Sequence, residues 1–211
     1  KEPAQRRAFI EQIVGKVQAV PGVEHAASAL PLLGGWQSGF IVEGKPEPPP
    51  GQNPSADITR ISPEYFRAMG IRLLRGRIFD AQDQAETKPV CMIDDTFAAK
   101  HWPGQDPVGK RVKFGAHIAD NETPWVEDVG VVDHVKHYGV DQDSRIEMYL
   151  PYTQSPIPSF TLVIKTAGDP TAVASAVGSA VRSVDADVPL YQVQTLESIN
   201  SDRVAERRLA A

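Results

Sequence analysis

The chain has 211 residues, with 22 Lys and Arg against 27 Asp and Glu, a net charge of −5 at neutral pH. That length holds one large domain or two small ones, and 41% hydrophobic with 23% charged residues is the composition of a folded chain, not a disordered one. An acidic chain without a Lys/Arg run gains nothing from counterion release on nucleic acid, and anionic lipid surfaces are disfavoured for the same reason.

Residues 3–20 read as an amphipathic helix. Phe9, Ile10, Ile13, Val14 and Val17 share one stripe, and Pro21-Gly22 stops it. Residues 23–30 and 39–43 read as strands; a stiff Pro-rich loop over 45–51 precedes a third strand at 56–61. Ser62-Pro63 opens a short helix with Tyr65, Phe66 and Met69 on its apolar face and Gly70 at its end. The middle alternates short strands (89–93, 111–114, 125–132 and 147–150) with turns. Its one helix, 95–102, starts on acidic residues that suit the helix dipole. In the last third, 160–165 reads as a strand and Asp169-Pro170 as a helix start with Val173, Val177, Ala180, Val181 and Val184 on the buried stripe. A strand at 188–193 and a helix opening at Thr195 follow.

Two uncharged stretches, 26–42 and 148–164, approach the ~20 residues of a membrane span. Pro31, Gly34, Gly35 and Gly39 break the first, and Pro151, Pro156 and Pro158 the second, so neither reads as a transmembrane helix. The two ends of the chain echo each other, each running from a helix ending in Val through a tight turn into a strand. The pattern therefore predicts an α+β fold in two parts. Residues 1–62 and 156–200 form one subdomain, and residues 63–155 are inserted as a small, mixed, β-rich one.

Candidate chemistry is sparse. Asp133, His134, His137 and Asp141 form the best metal-ligand cluster, but a strand through 129–135 points positions 134 and 137 to opposite faces, and the residues read as an exposed polar loop. Asp94-Asp95 could work as an acid/base pair; helix capping accounts for both more simply. Cys91 stands alone in an apolar run, without a base partner or a second thiol. Neither a phosphate-binding loop nor a nucleophile elbow is present. No catalytic, cofactor-binding or metal residue is expected.

The motif-like residues read as structure. Gly70 suits a helix end at positive φ, Gly76 a turn or bulge, and Pro103-Gly104 with Asp106-Pro107-Val108-Gly109 consecutive turns. Phe79, Phe97, Trp102 and Trp125 are candidate core anchors, and Arg75, Arg77, Lys110 and Arg111 candidate partners for Asp80, Asp83 and Asp106.

Five blocks in order carry a resemblance: ISPEYFRAMGIRLLRGRIFDAQD (61–83), DDTFAAKHWPGQDPVGKRVKFG (94–115), VEDVGVVDHVKHYGVDQDSRIEMYLPY (126–152), TLVIKTAGDP (161–170) and DADVPLYQVQTLESI (185–199). Together they resemble the MacB-like periplasmic core domain of bacterial ABC-type permeases of the MacB/FtsX/LolC group, with most likeness to a soil-bacterial subgroup in which the unit is duplicated. Pro63, Tyr65, Phe66, Gly70, Gly76, Phe97, Pro103, Gly104, Pro107 and Gly109 are the positions that match the family's structural signature. The resemblance implies a porter-like subdomain built from the two ends around a small inserted one, and a strand directly before the first helix that this sequence does not contain, so an open sheet edge is expected. It also implies that 201–211 run up to a transmembrane helix. The implied role is a periplasmic, non-catalytic domain of an inner-membrane protein that transmits the motion of a cytoplasmic ATPase. Its implied partners are the rest of the permease and its transmembrane helices, with a dimer mate, a periplasmic adaptor or a lipoprotein as further ones. A sensory or ligand-binding module is the alternative, and a metal-dependent hydrolase the second.

Overall fold

The computed structural model describes residues 2–32, 36–49, 51–115, 123–135, 145–156 and 159–201. In chain order the elements are α1 (Pro3–Gln18), β1 (Val23–Leu30), β2 (Gln37–Val42), β3 (Ser55–Ile61), α2 (Tyr65–Met69), β4 (Leu73–Gly76), β5 (Val90–Asp94), α3 (Asp95–His101), β6 (Arg111–Phe114), β7 (Val126–Val132), β8 (Glu147–Pro151) and β9 (Thr161–Thr166). A 3₁₀ turn over Pro170–Val173 then leads into α4 (Ala174–Val184).

Six of the strands close on themselves. The order β2-β6-β7-β5-β8-β3 is completed by pairing of β2 with β3. Phe40 N–H of β2 donates to Pro54 O on the β3 side at 2.9 Å, while Glu43 N–H, just past the end of β2, donates to Arg111 O on the β6 side at 3.0 Å. The ring is mixed, with β3–β8 and β5–β7 parallel and the other pairs antiparallel. Alternate side chains point inward. Phe40, Val42, Ile58, Cys91, Ile93, Val112, Val131 and Met148 make one core with Phe97 of α3 and Trp102, the residue that caps its C-terminus. Phe97 stacks on Phe40 at 4.8 Å between ring centroids.

Two strands share an edge with a ring strand. Past its β2 pairing, β3 bonds through Arg60 and Ile61 to β1, which carries β9 as the outermost strand. β4 pairs with the second half of β7, beside the first half's partner β6. The sheet thus runs without a break from residues 1–62 into residues 63–155. On one face of β1 and β9, α1 and α4 bury Ile13, Val17, Val177 and Val181 with Ala26. Each such Ile or Val contributes roughly 1.5–3 kcal/mol by leaving water. On the opposite face, α2 sets Tyr65 and Phe66 against Tyr149, Met92 and Ala29.

Helix periodicity located α1, α3 and α4 to within a few residues. Residues 188–193, expected as a strand, have irregular backbone. Pro189 offers no N–H, and Gln192 sits at φ 51°, which breaks an extended run. β4 was not anticipated; all four of its residues are exposed, so no apolar alternation marks it.

Gly70 ends α2 at φ 70°, and the Ile71 N–H returns to Phe66 O at 2.8 Å. Nothing lies within 4 Å of the position a Cβ would take there, so only the backbone conformation disfavours a side chain. Gly70→Ala is expected to lower unfolding free energy by about 1 kcal/mol in urea titrations.

Candidate functional site

The signature residues lie in caps, turns and cores, spread over the molecule. Pro63 opens the turn before α2, and Phe66 meets Tyr149 edge-on at 4.9 Å. After α3, Pro103 and Gly104 form a turn closed by Gln105 N–H to Trp102 O at 3.0 Å, with Gly104 at φ 71°. Pro107 O accepts from Lys110 N–H, and Gly109 N–H donates to Asp128 O at 2.8 Å, which stitches the Asp106–Lys110 turns onto β7. Gly76 crosses β7 so closely that an added Cβ would lie 2.2 Å from Val129 O. Of the expected ion pairs, Arg77 meets Asp83 and Asp80; Arg111 instead pairs with Glu43.

The structure assembles a polar node that the sequence did not announce. Asp94, wholly buried at the end of β5, accepts Phe97 N–H at 2.6 Å as the N-cap of α3. Its other oxygen lies 2.5 Å from His134 Nδ1 and accepts the Glu147 N–H of β8 at 3.0 Å. The Glu147 carboxylate, itself buried, accepts from Thr59 Oγ1 at 2.8 Å and from Tyr149 Oη at 2.9 Å. One carboxylate thus joins the ends of β5, β7 and β8 to α3, and a second ties β8 to β3.

His134 is therefore not the exposed loop residue expected: its side chain is 11% exposed and paired. His137 and Asp141 lie outside the described residues. Among the described residues, no group of three or more His, Cys, Asp and Glu is placed to hold a metal. Cys91 lies inside the ring, on the face of β5 opposite Asp94, and burial pushes its thiol well up. Burial, then the neighbouring Glu147, keeps Tyr149 protonated. The Asp94 hydrogen bond raises His134, while burial raises Asp94 itself against the bonds it accepts. These shifts favour a fixed, proton-retaining node over an activated nucleophile.

A third buried carboxyl, Asp128, accepts Gly130 N–H through Oδ1, while Oδ2 has no hydrogen-bond partner among the described residues. Burial, with Asp106 and Glu127 nearby, pushes it up to about 8. The unfolded chain ionises this group first, so its contribution is full below the unfolded value and is lost as pH rises to about 8. His134, also raised, loses its contribution in the same direction as pH climbs above its unfolded value. His101, lowered to about 4 by burial, works oppositely, losing its contribution as pH falls from the unfolded value towards about 4. Thermal melts are expected to fall between pH 6 and 9, and Asp128→Asn to flatten that fall by roughly 1–3 kcal/mol. An unchanged slope in that variant would show that Asp128 is already ionised at pH 6.

Comparison with known proteins places this architecture in a class: the extracytoplasmic domains of ABC-type permeases. The sequence model of the MacB-like periplasmic core domain matches residues 3–180, and the chain belongs to that family. It is 30% identical over 99 residues to the macrolide export ATP-binding/permease protein MacB 2 of Aeromonas hydrophila, and 30% identical over 100 residues to MacB of Agrobacterium fabrum. Each match covers 47% of this chain and 14% of the relative, so the chain spans a small part of those proteins. The fold is similar to the periplasmic region of MacB from Actinobacillus actinomycetemcomitans, with TM-score 0.55 and 18% identity over 82% of this chain and 72% of that one. It is also similar to the extracellular domain of the transporter YknZ from Gram-positive bacteria, with TM-score 0.57 and 17% identity over 89% of both chains. No described helix is long and apolar enough to cross a membrane.

Proposed function

We propose that this chain is the extracytoplasmic, non-catalytic part of an ABC-type permease, transmitting the motion of a cytoplasmic ATPase to a substrate or partner outside the membrane. The family match over residues 3–180 carries the reading. Support comes from the kind of polar chemistry present: the buried carboxylates of the node bind protein donors and hold a ring together. On this reading residues 1–62 with 156–200, and residues 63–155, act as two parts, with residues 201–211 leading to the membrane. The signature residues Pro63, Tyr65, Phe66, Gly70, Gly76, Phe97, Pro103, Gly104, Pro107 and Gly109 keep the fold stiff enough to pass on force. The partners proposed are the remaining permease and its membrane helices, with a dimer mate, adaptor or lipoprotein beyond.

The test uses the full-length gene product in its host. Single cysteines placed at exposed Tyr191 and Glu86 are expected to react with a membrane-impermeant maleimide in intact spheroplasts. Labelling only after lysis would place the domain in the cytoplasm and overturn the reading.

A further inference from the structure

Most partly buried or structured arginines here have a carboxylate. Arg7 meets Glu86, Arg67 meets Glu64, Arg72 meets Asp133, Arg77 meets Asp83, Arg111 meets Glu43 and Arg145 meets Asp57. Arg60 is different. It is half-buried, its Nε donates to Ser155 Oγ at 2.9 Å, and its guanidinium carbon lies 4.3 Å over the Trp36 ring. Among the described residues it has no carboxylate partner, and both terminal nitrogens are left without an acceptor. Burial lowers its basicity, and among the described residues no charged side chain of either sign contributes. Its place in the fold is the point where β3 leaves its β2 pairing and joins β1, opposite Leu30. Trp36 beside it stays 41% exposed.

Holding a cation half out of water with no counter-charge costs stability, and Arg and Trp are residue types enriched at binding hot spots. We propose that Arg60, Trp36 and Ser155 form a binding subsite for a single carboxylate attached to an apolar group. The guanidinium fork matches the two carboxylate oxygens. Ser155 Oγ accepts from Nε and keeps its own O–H to donate to the same ligand. The indole offers a flat apolar wall to whatever carries the carboxylate. One positive charge, with no second cation acting on it among the described residues, balances a carboxylate and leaves a phosphate dianion half-compensated. The carboxylate belongs either to a free amphiphile or to an Asp or Glu side chain of a partner polypeptide.

Nitrogen-labelled 211-residue chain, read at the Arg60 Nε–H and Trp36 indole N–H signals, separates these cases. Sodium hexanoate is expected to shift both signals saturably at constant ionic strength, with acetate about tenfold weaker and inorganic phosphate without a saturable effect. A terminally blocked peptide with one Glu among apolar residues forms the other arm. Tighter binding of the peptide assigns the carboxylate to a polypeptide, and tighter binding of hexanoate to a free amphiphile. Arg60→Lys keeps the charge but loses the fork and is expected to bind at least tenfold more weakly; Trp36→Ala, on an exposed residue, tests the wall with the fork intact. Absence of any saturable shift, equal binding by phosphate, or undiminished binding by Arg60→Lys each overturns the proposal.

Discussion

Gly76→Ala is expected to cost the domain roughly 3–5 kcal/mol, far more than the same change at Gly70. Both glycines sit at φ near 70°, so the conformational penalty of a side chain is similar at the two. They differ in what a Cβ meets. At Gly70 there is open space; at Gly76 it would lie 2.2 Å from Val129 O and 2.9 Å from Gly130 Cα, both backbone atoms that cannot step aside. The same crowding appears from the other strand, where a Cβ on Gly130 would lie 2.4 Å from Arg77 O. β4 and β7 therefore approach on a glycine from each side, and the Arg77 N–H to Val129 O bond of 2.9 Å closes the contact. For a chain of this size the loss corresponds to a melting temperature lower by roughly 10 °C. Equal melting of Gly70→Ala and Gly76→Ala would remove the close approach from the account.

The second large effect is at Asp94. Replacing it by alanine strands Phe97 N–H and Glu147 N–H in one buried place and takes the carboxylate away from His134, and a loss of roughly 3–5 kcal/mol is expected. Asp94→Asn keeps an acceptor for the α3 cap but turns an amide N–H towards the Glu147 N–H, so an intermediate loss is expected. Urea unfolding of Asp94→Ala, His134→Ala and the double variant measures the coupling, which should exceed about 1 kcal/mol. Additive losses would mean that the short Asp94–His134 contact does not contribute as a pair.

Much of this architecture is written in local patterns. Stripes at helical spacing mark α1 and α4, Pro21-Gly22 marks the turn into β1, and Asp94 announces itself as an N-cap three residues before Phe97. Ring closure leaves no such mark, because β3 pairs with β8 across ninety positions (Asp57 with Glu147) and nothing in either strand names the other. The node was hidden for the same reason: Asp94 and His134 stand forty positions apart, each with an adequate local explanation. Arg60 looks ordinary in sequence. That it has no carboxylate partner among the described residues is visible only in three dimensions.

The closed ring also sets the order in which the chain can fold. β2 and β3 leave the ribosome with unpaired edges, and β3 cannot bond to β8 until Glu147 to Pro151 has been made. β1 waits longer still, because its long partner β9 begins at Thr161. Such distant pairings make folding slow and leave apolar strands exposed meanwhile. Until the last third has been made, the open edges of these strands are places where two nascent chains could pair with each other instead.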